Sequence, residues 1–311
     1  MYNRDQSAQT PLINLNSAAS GLLYLAGVDG GGTGTRVVLS TPDGQELARG
    51  AGGPGGLALG RAESWQSVMT ALTQAFEIAG IAMPPLQQIG IGLGLAGVTV
   101  TAWREEFLQL NPGFGLLIVE SDAYTTLLGA HAGEAGAIIA LGTGSVGEAL
   151  YSDGSRLEVG GWGFPIGDEA SGAWLGWQAV NYLQRVLDGR QPAEALADAL
   201  EQQTGNSRDA LFTWMGTANQ TKYASLAPTV IRMAEHSEVA RQLLQTAGLD
   251  IAQMAAALTA KEQLSIALCG GLAPVLKPYI PQALQQTLKE PQADSATGAM
   301  LLVKRQIRKL Q

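Results

Sequence analysis

The chain has 311 residues, 46% hydrophobic and 15% charged, which suits about two globular domains and excludes a disordered polypeptide. A formal charge of −8 with no run of Lys or Arg argues against nucleic acid or an anionic membrane as the main partner. A single cysteine, Cys269, excludes an intrachain disulfide, a CxxC redox pair and an iron–sulfur cluster held by this chain's cysteines alone, and two histidines, His131 and His236, are too few for a typical zinc site.

In chain order, residues 1–21 have neither the basic start nor the apolar run of a signal peptide and are read as a disordered leader. The expected compartment is the cytoplasm, because no stretch approaches the roughly 18 apolar residues of a membrane span. From Leu22 the pattern predicts a strand (LLYLAGV), a glycine turn over Asp29–Thr35, a strand (RVVLS), a Pro-Asp-Gly turn and a third strand (QELARG). A helix over 62–79 carries Trp65, Val68, Met69, Leu72 and Phe76 on one face. A buried-type strand running into a glycine turn (89–98), a short helix over 101–110 and a strand over 116–121 follow, and Asp122 opens the next helical segment.

The same unit then returns. GAIIALG, a Gly-Thr-Gly turn, GEALY, a Ser-Asp-Gly turn and SRLEVG repeat the strand–turn–strand–turn–strand order about 110 residues later, an offset shared by the Gly-Thr-Gly and Asp-Gly pairs. Beyond residue 168 helices dominate, at 170–187, 192–203, 208–218, 226–258 with a break near Gly248, and 295–310. One strand, LSIALCGG (264–271), interrupts them. The class is α/β with two related halves, the second enlarged by helices.

Forty glycines, against a usual share of about 7%, gather at 27–60, 90–97, 113–115, 129–176 and 270–271 rather than in a linker period, and such clusters bring backbone close to something. Two GxGxxG strings, at Gly92–Gly97 and Gly142–Gly147, lack the context of the dinucleotide fingerprint, and no GxxxxGK[ST] occurs. Asp29-Gly30-Gly31-Gly32-Thr33-Gly34-Thr35 offers backbone N–H groups and hydroxyls to an anion, with Asp29 able to hold a divalent cation through water; the alternative is a plain tight hairpin. Asp122, at the carboxyl edge of a predicted strand, suits either a general base or a helix cap. In Gly160–Gly172 the pairing of Trp162 with Asp168 suits a sugar, or alternatively a core tryptophan and an acidic first turn. Trp174 and Trp177 read as core.

These segments, VDGGGTGT (28–35), SDA (121–123), LGTGS (141–145), GGWGFPIGDEASG (160–172) and ALCGG (267–271), resemble in kind and order the BadF/BadG/BcrA/BcrD ATPase family, and within it the N-acetylglucosamine and bacterial glucosamine kinases. The resemblance covers residues 22–311. It implies duplicated ribonuclease-H-like (actin-like ATPase) domains around a nucleotide cleft, divided as 22–120 with the helix 295–311, and 121–294. It also implies ATP and Mg²⁺ as cofactors, an amino sugar phosphorylated at its 6-hydroxyl as substrate, and a homodimer. By the same resemblance Gly30, Gly31, Gly32 and Thr33 form the first phosphate loop, with Asp29 near Mg²⁺. Asp122 is the catalytic base. Gly142, Thr143, Gly144 and Ser145 form the second phosphate loop, Gly161, Trp162, Gly163 and Asp168 line the sugar pocket, and Gly270 and Gly271 lie under the adenosine.

Two departures stand out. The family has a sugar-contacting Asn after Gly53-Pro54 where this chain has Gly55-Gly56-Leu57, and commonly an Asn where this chain has Ser121. N-acetylglucosamine is the expected acceptor and glucosamine its rival. An ATPase activator would carry a cysteine-held iron–sulfur cluster at a subunit interface, against which a single cysteine counts. A sugar-sensing regulator would need a DNA-binding domain for which residues 1–21 leave no room.

Overall fold

A computed structural model describes residues 12–15 and 21–310. It divides the chain into two compact units: residues 1–136, 150–156 and 291–311, and residues 137–149 and 157–290.

The first unit is built on a six-stranded sheet of β1 (Leu12–Leu15), β2 (Tyr24–Gly30), β3 (Thr35–Ser40), β4 (Glu46–Gly52), β5 (Ile89–Leu95) and β6 (Leu116–Ser121), in the order β1-β6-β5-β2-β3-β4. The antiparallel β2–β3–β4 meander feeds parallel pairing of β2 with β5 and of β5 with β6. Within the expected leader, Leu12–Leu15 add an antiparallel edge strand to β6; the rest of residues 1–20 lies outside the described residues.

Helix α1 (Arg61–Ala79) packs against β3 and β4. Val28, Val37, Leu72, Phe76, Ile91 and Leu93 join the same buried cluster, and Trp65 stacks on Phe107 at 4.3 Å while donating its indole N–H to the Phe107 carbonyl at 2.8 Å. Helix α12 (Ser295–Leu310) packs against β2, β5 and α3 (Asp122–Ala130). These contacts explain glycines on both strands: a Cβ at Gly92 would lie 2.1 Å from the Ala299 carbonyl oxygen, one at Gly27 2.0 Å from that of Ala296, and one at Gly94 1.9 Å from Thr125 Oγ1 of α3. The IGIGLGL string serves close helix–strand packing in the first unit.

The second unit contains a five-stranded sheet of β7 (Gly136–Leu141), β8 (Ser145–Leu150), β9 (Arg156–Gly160), β10 (Ile266–Cys269) and β11 (Leu288–Lys289), in the order β11-β10-β7-β8-β9. This order repeats β6-β5-β2-β3-β4 strand for strand, so the repeated sequence unit is a repeated topology. The helices α4 (Gly172–Leu187), α5 (Ala195–Thr204), α6 (Arg208–Met215), α7 (Gln220–Ala224), α8 (Ala227–Met233) and α9 (Glu238–Leu258) are inserted before β10; α2 (Thr101–Gln109) joins β5 to β6, and the short α10 (Ala273–Leu276) and α11 (Gln282–Gln285) join β10 to β11.

Several expectations change. The division expected at 120/121 falls at 136/137, because α3, which follows β6 directly, packs on α12 within the first unit. The break expected near Gly248 lies at 234–237, where the Ser237 hydroxyl accepts the Ala240 N–H at 3.2 Å and starts α9. Gly248 instead lets α9 pass close to the chain at Tyr279, whose carbonyl oxygen would lie 2.1 Å from a Cβ there. Helix α7 falls between the helices predicted over 208–218 and 226–258, whereas the strand at 89–98 gives way to its glycine turn after Leu95 as expected. Trp177, read as core, is 37% exposed.

Candidate active site

The first glycine loop leaves β2 with Asp29 paired to Arg36 and Gly30 to Thr35 across the hairpin. Its turn is closed by Gly31 N–H donating to Gly34 O at 3.0 Å. The loop is braced from outside by Gly55 and Gly56, whose N–H groups both reach the Gly31 carbonyl at 2.9 and 3.1 Å, while Ala96 N–H reaches Gly30 O at 3.0 Å. The Gly55-Gly56 departure therefore has a structural use. A Cβ at Gly55 would lie 2.4 Å from Thr35 Oγ1, whereas one at Gly56 would meet its nearest atoms at 3.6 Å. Among the described residues, none beyond its chain neighbours stands within 4 Å of a Cβ built at Gly32, so the tip of the loop is an open cradle.

Asp29 is only partly exposed, and burial pushes its carboxyl above the usual carboxylate range against the opposing pull of Arg36 at 3.8 Å. Among the described residues no group of three His, Cys, Asp or Glu side chains forms a metal cage. One carboxylate beside an open glycine loop fits Mg²⁺ carried by phosphate oxygens and water, the mode this ion prefers.

Parallel pairing sets Gly30 level with Leu95, and Leu95 level with Ser121. The glycine loop and Asp122 thus stand at one carboxyl edge of one sheet, two strand spacings or roughly 10 Å apart. The cap of α3 is Ser121, whose hydroxyl accepts the Tyr124 N–H at 3.1 Å. Asp122 occupies the first helical position, half-buried, with Oδ1 accepting the Ala123 N–H at 3.0 Å. The capping role that Asp122 was suited to is therefore filled by its neighbour.

The second unit brings three of the predicted motifs together. The loop Gly142–Ser145 turns through Gly142 N–H to Gly144 O at 2.9 Å. The segment 160–172 then locks onto it. Gly172 N–H donates to Gly142 O at 2.9 Å and Ala173 N–H to Thr143 O at 3.1 Å. Ser145 hydroxyl donates to Glu169 O at 2.6 Å, and Ser145 N–H donates to Asp168 Oδ1 at 3.3 Å. Asp168 is 3% exposed, with its carboxyl pushed up by burial and drawn back by hydrogen bonds from the Ser145 N–H, the Gln220 side chain and the Phe164 backbone. Trp162, 69% exposed, lies between Gly161 and Gly163, both in the left-handed region.

Gly270 completes the set. Its φ of +88° and a would-be Cβ 2.3 Å from Leu141 O demand glycine, and Leu272 N–H then reaches that same carbonyl at 3.1 Å. The ALCGG turn is thereby fastened to the strand that feeds the second glycine loop.

Three functional candidates escaped sequence reading. Arg156 brackets Asp122: its guanidinium bonds Glu120 at 3.3 and 3.4 Å and lies 3.5 Å from the Tyr124 ring centroid. Glu120 is 5% exposed. Gln220, on α7, donates to Asp168 Oδ2 at 2.6 Å. None belongs to a glycine motif, and only the folded chain places them.

A duplicated β-meander with glycine loops at its strand ends defines the actin-like ATPase fold. A Streptomyces griseus ROK-family glucokinase, solved with glucose and AMPPNP, shares that fold at a TM-score of 0.58 and 17% identity, over 90% of this chain and 98% of its own. The chain belongs to the BadF/BadG/BcrA/BcrD ATPase family, whose model matches residues 26–303. It is 32% identical to a glucosamine kinase of Vibrio cholerae serotype O1 over 89% of this chain and 95% of that one. A solved Chromobacterium violaceum structure, provisionally named an N-acetylglucosamine kinase, matches at 48% identity and a TM-score of 0.88, covering 91% of this chain and 99% of that one. The chain is a phosphotransferase.

Proposed function

We propose that this protein is an ATP-dependent amino-sugar kinase that phosphorylates the 6-hydroxyl of N-acetylglucosamine. The observation that carries this reading is the locking of segment 160–172 onto Gly142–Ser145: a loop chemically suited to a sugar is hydrogen-bonded directly to a loop suited to a phosphate. A glucosamine acceptor is the second reading, favoured by Gly55-Gly56, which offer no side-chain amide where the resemblance leads one to expect a sugar-contacting Asn.

Gly30–Thr33 and Gly142–Ser145 bind the phosphates of ATP through backbone N–H groups, and Gly270 and Gly271 give the adenosine a surface free of side chains. Asp29 would hold Mg²⁺ through water, and the ion would supply charge neutralisation at the phosphates. Trp162 covers the apolar face of the sugar, and Asp168 accepts its hydroxyl hydrogen bonds. Asp122 orients the acceptor hydroxyl and takes its proton as the oxygen attacks the γ-phosphorus. The new O–P bond forms as the bond to the bridging oxygen breaks, and ADP leaves.

The test is ADP release from Mg·ATP with glucose, glucosamine, N-acetylglucosamine, N-acetylmannosamine or no sugar, followed by NMR of the product. The reading expects release with N-acetylglucosamine and a phosphate on its O6. Asp122→Asn should keep sugar and nucleotide binding while losing about 10²–10⁴ of kcat. Equal release in every well, including the blank, would overturn the kinase assignment, and release with glucosamine alone would transfer it to the second acceptor.

A further inference from the structure

We propose that Gln220 is a positioning residue for the sugar: from the inserted helix α7 it fixes the carboxylate of Asp168 in the orientation that receives the substrate. The proposal rests on the amino-sugar reading above.

Asp168 is nearly inaccessible and holds a φ of +63°, a conformation that costs a non-glycine residue about 1–3 kcal/mol and must be maintained by its surroundings. Three donors do so. Ser145 N–H takes Oδ1, Gln220 Nε2 takes Oδ2 in the shorter bond, 2.6 Å against 3.3 Å, and the Phe164 backbone donates the third. A carboxylate oxygen has about two acceptor directions. Three donors against about four acceptor directions leave one for a hydroxyl, and Gln220 is the side chain among the three that determines which way the carboxylate faces.

Gln220 is itself held by a fixed element. Asn219 caps α7 by accepting the Lys222 N–H at 2.9 Å. Tyr223 packs on Phe164 of the sugar loop, ring centroids 5.1 Å apart, and edge-on against Trp214 at 5.2 Å. The backbone of α7 runs against α4, where a Cβ at Gly176 would sit 1.9 Å from Tyr223 O and one at Gly172 would lie 3.3 Å from the Ala224 methyl. So α7 braces the loop at two points, Phe164 through a ring contact and Asp168 through a hydrogen bond. Only the second meets a group that the sugar would touch. Burial favours the protonated carboxyl, while the Gln220 donor favours the ionised acceptor form that a hydroxyl donor needs.

The experiment compares wild type, Gln220→Ala, Gln220→Glu, Asp168→Asn and the double variant Gln220→Ala/Asp168→Asn. It measures the N-acetylglucosamine Kd by calorimetry without nucleotide, the KM for sugar and for ATP, and far-ultraviolet circular dichroism. Gln220→Ala should weaken sugar binding roughly tenfold, as expected for one lost hydrogen bond to a charged group, and leave the ATP KM within about twofold. Gln220→Glu keeps the side-chain shape, sets a second carboxylate against Asp168, and should weaken binding further. The double variant should bind no worse than Asp168→Asn alone, since Gln220 acts through Asp168.

The inference is overturned if Gln220→Ala binds sugar normally while Asp168→Asn does not. It is equally overturned if the two losses add, or if the ATP KM rises in step with that for sugar. Normal sugar binding by Asp168→Asn would instead remove the sugar-loop reading on which the inference depends.

Discussion

Replacing Arg156 by Met removes the counter-charge of a buried carboxylate two residues before Asp122. The Glu120 side chain is 5% exposed, and its partner Arg156 Nη1 lies 3.3 Å away. Coulomb's law at that distance, with an effective dielectric near 20, gives a gross attraction of about 5 kcal/mol. Breaking such a pair from one side typically costs about 3–5 kcal/mol, because the remaining charge stays buried, whereas removing both partners is far cheaper. Burial already pushes Glu120 above the usual carboxylate range, with Arg156 the main opposing influence. Without Arg156 its pKa in the fold rises further.

An acid raised in the folded state costs stability when ionised, so the penalty of Arg156→Met is present above that raised pKa and fades as falling pH protonates Glu120. Urea unfolding of wild type, Arg156→Met, Glu120→Gln and the double variant at pH 5 and pH 8 measures this. Arg156→Met should lose several kcal/mol at pH 8 and distinctly less at pH 5, with most of the loss recovered in the double variant. A loss equal at both pH values, or a double variant as unstable as the sum of the singles, would refute the argument.

Gly270→Ala places a Cβ at a left-handed φ and 2.3 Å from Leu141 O; it should cost at least about 1–3 kcal/mol by urea unfolding and raise the ATP KM, and wild-type behaviour would show that the turn relaxes freely. Asp29→Asn removes a carboxyl that burial raises above its ordinary range, so wild-type stability declines as pH rises through that raised pKa and the variant's does not. At pH 7.5 the variant should be at least as stable as wild type while losing Mg²⁺-dependent turnover, and lower stability in urea would contradict the assigned burial cost. Gly56→Asn, at a position with ordinary van der Waals space, should fold normally and lower the KM for N-acetylglucosamine; Gly55→Asn, facing Thr35 Oγ1 at 2.4 Å, should be the destabilised one of the pair.

The duplicated fold was legible because its cause is local. Strands of β-branched and apolar residues broken by Gly-Thr-Gly and Asp-Gly turns specify a meander without reference to distant parts of the chain, and the meander occurs twice. The glycine loops and Asp122 were legible for the same reason: each lies at the end of a strand that its own sequence marks. That Asp122 is not the cap depended on Ser121 taking it, a choice between adjacent residues that propensity alone leaves open.

Long-range packing decided the rest. Gly92 owes its identity to α12, some 200 residues later, Gly94 to Thr125 of α3, and Gly248 to the chain at Tyr279. The break in the helical run moved to Ser237 because that hydroxyl caps α9. Arg156 and Gln220 stand 36 and 52 residues from the carboxylates they hold, in a hairpin and a five-residue helix with no periodic signature. Sequence by itself determined which backbone can cradle a phosphate and which carboxylates stand at strand ends. Tertiary structure alone decided which partners orient those carboxylates, since a hydrogen bond between distant residues depends on the path of all the chain that separates them.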